Sequence, residues 1–120
     1  MTTTQTILAT TVHGEPSGNY DGSSQDWYSD AAQAADYYRG RGGLQTVTFR
    51  LDQFVGRIRL QATLDTVPET ATWFDVYEIG DAVVPLTDYH PESIQGNFVW
   101  MRVNVLLFEA GTIESVTITY

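Results

Sequence analysis

Apolar and polar residues alternate along most of the chain, most clearly over residues 97–108. Successive side chains of an extended strand point to opposite faces. Val99, Met101, Val103, Val105 and Leu107 thus make one unbroken apolar face, and Phe98, Trp100, Arg102, Asn104, Leu106 and Phe108 a mixed one. Such a segment suits the middle of a sheet inside a sandwich. Ala110-Gly111-Thr112 reads as a turn, and Val116, Ile118 and Tyr120 alternate with Thr117 and Thr119. The pattern predicts a hairpin over residues 97–120.

The same period recurs upstream. Ile7, Ala9 and Thr11 alternate with Leu8, Thr10 and Val12 as an N-terminal strand, and residues 13–22 are turn chemistry. Residues 23–43 are ambiguous. Asp30 suits the N-cap of a short helix carrying Ala31, Ala35 and Tyr38 on one face, stopped by Arg39-Gly-Arg-Gly-Gly43; a loop or irregular strand fits as well. Val47, Phe49 and Leu51 then form a strand that Asp52-Gln53 turns into a second one carrying Ile58, Leu60, Ala62 and Leu64. Val67 to Thr70 is a turn, residues 73–79 a further strand, and residues 80–96 a long connection with at most a short strand at 82–84. Six or seven strands without a helical period predict one all-β domain over residues 1–120, an antiparallel, jelly-roll-like β-sandwich. Met101, Val103, Val105, Ile58, Leu60 and Trp73 are its expected core.

The chain has 120 residues, enough for a real core, and no cysteine, so neither disulfides nor thiolate metal sites contribute. No apolar run reaches the roughly 18 residues of a membrane span, and the start lacks a basic leader, which predicts a protein made in the cytoplasm without a membrane partner. All six basic residues are arginine, against fifteen acids, for a net charge of −9. A phosphate backbone would be repelled, so nucleic acid is not an expected partner.

Chemistry-bearing patterns are sparse. Asn19-x-Asp21-x-Ser23-x-Gln25-x-Trp27 followed by Asp30 has the alternation of a calcium loop, but Ser24 stands where that loop needs glycine and Asp30 where it needs glutamate. A turn-rich acidic loop is the plainer reading, with Asn19, Asp21 and Asp30 as weak metal candidates. His13 and His90 belong to no catalytic order or zinc spacing and read as surface or hydrogen-bonded loop residues. Carboxylate pairs such as Asp26 with Asp30, or Asp75 with Asp81, arise by chance among fifteen acids. The sequence thus predicts no catalytic residue and no cofactor. Tyr20, Trp27, Tyr28, Tyr37, Tyr38 and Tyr89 lie among polar loop residues, suited to protein contacts, to capping the sandwich, or to stacking on sugars. Arg57 and Arg59 share the strand face opposite Ile58 and Leu60. Partner contact is expected at Trp27, Tyr28, Tyr37, Tyr38, Arg57, Arg59 and Tyr89.

Tyr37-Tyr38, Gly43-Leu-Gln-Thr-Val-Thr-Phe49, Phe54-Val-Gly-Arg-Ile-Arg-Leu-Gln-Ala-Thr-Leu64, Pro68, Trp73-Phe-Asp-Val76, Gly96-Asn-Phe-Val-Trp-Met-Arg-Val103 and Gly111-Thr-Ile113 form an ordered set. Over residues 36–120 it resembles small virion structural proteins of tailed phages, particularly those of cyanobacterial and other aquatic phages. The resemblance implies a non-enzymatic virion subunit, for decoration, connection or tail accessory duty, that assembles with its own copies or with other virion proteins. The alternative expectation is a carbohydrate-binding module on a fibre or baseplate, stacking glycan on Trp27, Tyr28, Tyr37 and Tyr38.

Overall fold

The computed structural model describes residues 3–35, 37 and 43–120. The protein is all-β: seven strands form a single antiparallel sheet. The strands are β1 (Thr4–Leu8), β2 (Thr11–Val12), β3 (Trp27–Tyr28), β4 (Ala32–Gln33), β5 (Leu44–Thr63), β6 (Phe74–Gln95) and β7 (Trp100–Thr119). β5 lies between β6 and β7, and the outer edge of β7 is covered in turn by β1, β2, β3 and β4. A 3-10 turn at Pro68–Thr70 joins β5 to β6.

The three long strands cannot be straight. Twenty extended residues at about 3.3 Å each would span about 66 Å, whereas the longest dimension of the molecule is 39 Å. Each strand therefore bends, and the bends align. Gln53 and Gly56 in β5, Gly80 in β6, and Leu107 and Gly111 in β7 all take positive φ. The ladders skip at the same place, between Leu51 and Gly56 of β5 and between Asp81 and Leu86 of β6. Bulges of this kind kink a strand and shift which side its residues face.

The sheet folds over along this line, and its two halves enclose one core. Tyr120, just past the end of β7, donates its hydroxyl to the Gln33 carbonyl at 2.9 Å, and Gln33 pairs with Trp100 at the start of the same strand. Gln45, fully buried, accepts from the Ala35 amide (3.2 Å) and donates to the carbonyls of Gly43 and Ile94 (both 2.8 Å), which pins the segment after β4 to the start of β5. At the open side, Tyr77 from one half of β6 stacks on His90 from the other, with ring centroids 5.7 Å apart. Val47, Phe49, Leu51 and Ile118 line one half; Ile58, Leu60, Met101, Val103 and Val105 line the other. Phe54 and Phe108, both buried, meet in the bend at 5.6 Å.

All-β architecture, antiparallel pairing and five of the six expected core residues follow the alternation. Several details differ. Residues 97–120 are no hairpin: β7 runs through Ala110-Gly111-Thr112 as one strand, because Gly111 provides a bulge and not a reversal. Its apolar face is also not continuous. Leu107, at φ 53°, turns outward, and Phe108 takes the inner position. Asp52-Gln53 likewise bends β5 without ending it, and residues 80–96 are mostly strand, the second half of β6. Two separate sheets do not occur among the described residues; the enclosing layers are halves of one. Trp73 is half-buried, outside the core. Within the proposed helix, Ala32 and Gln33 pair with β7 as strand; Asp36, Tyr38, Arg39 and Arg41 lie outside the described residues.

Val103 is fully buried, so Val103→Ala is expected to cost about 1–3 kcal/mol, read as a lowered denaturation midpoint with unchanged slope. Two glycines test the bend. A Cβ on Gly111 would stand 2.0 Å from the Gln53 carbonyl oxygen, whereas one on Gly14, also at positive φ, meets nothing within 4 Å. Gly14→Ala should cost about 1–2 kcal/mol and Gly111→Ala on the order of 3 kcal/mol or more. Equal midpoints for the two variants would contradict the fold line.

Candidate functional site

The chain past β3 is held to β7 by Ser29, buried, which accepts from the Val103 amide through its Oγ at 3.0 Å and donates its own amide to the Val103 carbonyl at 2.9 Å. This fixes Tyr28 and Asp30 beside β7. Across from them, Thr63 donates to the Thr72 carbonyl (2.8 Å), and Asp65 accepts from the Thr72 amide (2.8 Å), closing the loop that carries Pro68 and Glu69. Trp100 ties its indole N–H to the Thr66 carbonyl at 3.0 Å. Between these pinned segments lies a cleft of about 400 Å³, lined by Asp30, Glu69, Trp73, Trp100 and Arg102 among others.

Arg102 is the cation of this cleft. Its guanidinium lies 4.3 Å from the Tyr28 ring centroid and 4.4 Å from that of Trp73, and its Nε donates to Gln61 Oε1 at 2.8 Å. Cation–π contacts of this kind are made more often by arginine than by lysine. Burial lowers its pKa, and the Tyr28 phenol opposes the shift. No carboxylate lies within ion-pair distance of it among the described residues.

The residues expected to make contacts divide. Trp27 is only 6% exposed and packs against Tyr20 (5.2 Å) and Phe108 (6.3 Å), so it belongs to the core and cannot serve as a platform. Tyr20 is buried as well. Tyr28 is exposed under Arg102; Tyr37 is exposed and meets the edge of Trp100 at 5.1 Å. Tyr89 lies under the Arg50 guanidinium at 4.5 Å, far along β6. Arg57 and Arg59 both reach Glu78 of β6, at 3.4 and 2.9 Å. The Glu78 hydrogen bond raises the Arg59 pKa. Trp73 and Trp100 were not among the expected contacts. Each sits at a strand start beside the turn at Pro68–Thr70, where alternation alone assigns a tryptophan to a face but not to a cleft.

His90 stands on a strand, not in a loop. It is half-buried, with Nε2 2.9 Å from the Tyr77 hydroxyl and 3.2 Å from Glu92 Oε1. Burial, then the Glu92 and Asp88 carboxylates, raises the Tyr77 pKa, so the phenol keeps its proton. His13 is exposed and meets Phe108 edge-on at 5.2 Å.

The calcium-like spacing builds a turn. Asp21 Oδ1 accepts from the amides of Ser23 (2.8 Å) and Ser24 (2.7 Å), Oδ2 accepts from Ser24 Oγ (2.7 Å), and Asn19 Nδ2 donates to Asp30 Oδ1 (2.9 Å). No cluster of three or more His, Asp or Glu suited to an ion occurs among the described residues, and no helix there is long and apolar enough to cross a membrane. The chain matches no protein-family model, no curated protein and no solved structure.

The hydrogen bonds to Asp21, led by the Ser23 amide, hold its pKa down to about 2. A depressed folded pKa stabilises the turn at every pH above the unfolded value near about 3.9; that contribution disappears as pH falls through about 2. The Asp21 carboxyl carbon should therefore titrate with a midpoint near 2, and Ser24→Ala should move the midpoint upward. A midpoint in the ordinary carboxylate range would show that the turn is not held this way.

Proposed function

We propose that the protein is a non-enzymatic structural subunit of a tailed-phage virion that works through protein–protein contacts, in the first instance with copies of itself. The resemblance over residues 36–120 supports the class. One surface feature carries the mode of action. Between Asp81 and Leu86, β6 leaves the ladder and presents Val83 and Val84, 80% and 60% exposed, while Asp81 Oδ1 accepts from both their amides (2.7 and 3.0 Å) and fixes the knob. Those bonds, the Val84 amide first, lower the Asp81 pKa.

Arg57 lies directly beside this knob, since it pairs with Gly80 in the ladder, and Arg59 follows on the same face. A fixed, exposed apolar knob with arginine at its margin suits a protein contact. Glu78 bonds both guanidiniums, and the Asp81 and Asp75 carboxylates act on Arg57 and Arg59 as well, so the rim of the knob is a mixed network of ion pairs without excess positive charge. The apolar knob is therefore the centre of the contact, and the charged side chains at its rim orient approach more than they add affinity. The edge of β6 itself carries Pro85 and Pro91 and five acids, features that discourage indiscriminate strand pairing. The contact thus runs through side chains, not through an added strand.

Arg57→Glu with Arg59→Glu, and separately Val83→Asp, should leave the isolated domain folded, because none of these side chains is in the core. Both variants should lower self-association in sedimentation and incorporation into particles. Normal assembly of both variants at low salt would overturn the proposal.

A further inference from the structure

The cleft between the Pro68–Thr70 turn and the start of β7 lies apart from the Val83–Arg57 patch and shares no lining residue with it. Its volume of about 400 Å³ falls in the roughly 300–1,000 Å³ range of small-ligand sites. Its three charged side chains keep uncommitted polar atoms. Glu69 makes no hydrogen bond or ion pair among the described residues, and Asp30 uses only Oδ1, toward Asn19. Arg102 uses only Nε, toward Gln61, and its guanidinium carbon lies 4.3 and 4.4 Å from the Tyr28 and Trp73 ring centroids. Its two Nη groups make no hydrogen bond among the described residues and remain as donors, steadied by the two rings and by Gln61.

Two acceptors, a planar donor fork and two half-buried tryptophans suit a ligand with adjacent hydroxyls and an apolar ring face. An anionic ligand fits poorly: one cation faces two carboxylates in the cleft, within a chain of net charge −9. We propose that this cleft binds a neutral sugar residue of a glycan, with Glu69 and Asp30 accepting its hydroxyls, Arg102 donating to them, and Trp73 and Trp100 packing on the ring. The aromatic platform is then Trp73 and Trp100 with Tyr28 and Tyr37 at its margin, and not Trp27. The inference stands apart from the assembly reading, and its failure leaves that reading intact.

The full chain should first be applied to an array of neutral and of carboxylated glycans, and the strongest neutral hit titrated into isotope-labelled protein. The indole N–H signals of Trp73 and Trp100 should shift saturably, while that of the buried Trp27 stays in place and reports an intact core. Glu69→Gln, an exposed position on the turn, should weaken binding about tenfold through loss of a charge-assisted hydrogen bond, and Arg102→Lys at least as much. Retention of no neutral glycan, retention of carboxylated glycans alone, or binding insensitive to both substitutions would each overturn the inference. Val83→Asp should bind the same glycan as the wild type.

Discussion

The close approach of the Gly111 backbone to the Gln53 carbonyl, where no Cβ fits, sets the geometry of everything else. Gly56 approaches the Leu106 and Leu107 carbonyls in the same way, and Gly80 the Gly56 carbonyl. Three neighbouring strands thus give up side chains along one line, and Phe54 fills the space over it, its ring within about 3 Å of where Cβ atoms on Gly56 and Gly80 would stand. With that line in place, three strands of twenty or more residues fold double and supply both walls of the core. A sheet that closes on itself buries both halves without a second set of strands. It also leaves the chain ends of each strand adjacent, which is why Tyr120 reaches Gln33 and Gln45 reaches Ala35.

The placement of the two surface features follows from that fold. The Val83-Val84 knob stands at the bend, where residues 82–87 of β6 lie opposite only residues 52–55 of β5 and the extra residues bulge outward. The cleft exists at the opposite end, where β7 begins, β5 ends and the segments at residues 28–31 and 65–72 converge. Neither lies on the regular part of the sheet, where outward faces carry Thr, Ser and Gln in ladder pairs such as Thr46 with Ser93. Rigid strands position both features, while the bend and the strand ends supply the irregular backbone they need.

Alternation along the chain carried the class of fold because period 2 is a local property. Val47, Phe49 and Leu51, or Met101, Val103 and Val105, announce their burial without reference to any partner. It did not carry the topology. Gly111 after an apolar run has the same sequence appearance whether the chain reverses or merely kinks, and the outcome depends on whether β5 has a matching bulge at Gln53 opposite it. Pro85 and Pro91 read as loop residues, yet an edge strand tolerates them because no other strand among the described residues pairs with its outer side. The aromatic residues misled for a related reason. Trp27 stands among polar neighbours in sequence, but its strand of two residues is laid across Val105 and turns the indole inward. Trp73 was expected inside and instead supports Arg102.

The absence of lysine acquires a partial rationale from the four arginines that the structure describes. Arg50 and Arg102 each lay a guanidinium plane on an aromatic ring, and Arg102 does so on two rings at once. Arg57 and Arg59 share one carboxylate from adjacent positions on a face, at 3.4 and 2.9 Å. A compact ammonium offers neither a plane to stack nor a fork to share. In this strongly acidic protein, each of the four described arginines serves a directional contact. The general charge balance is left to the carboxylates. Cations held in fixed planes on a rigid sheet orient a partner or a hydroxyl group more sharply than mobile lysines would, which suits both the knob beside Arg57 and the cleft around Arg102.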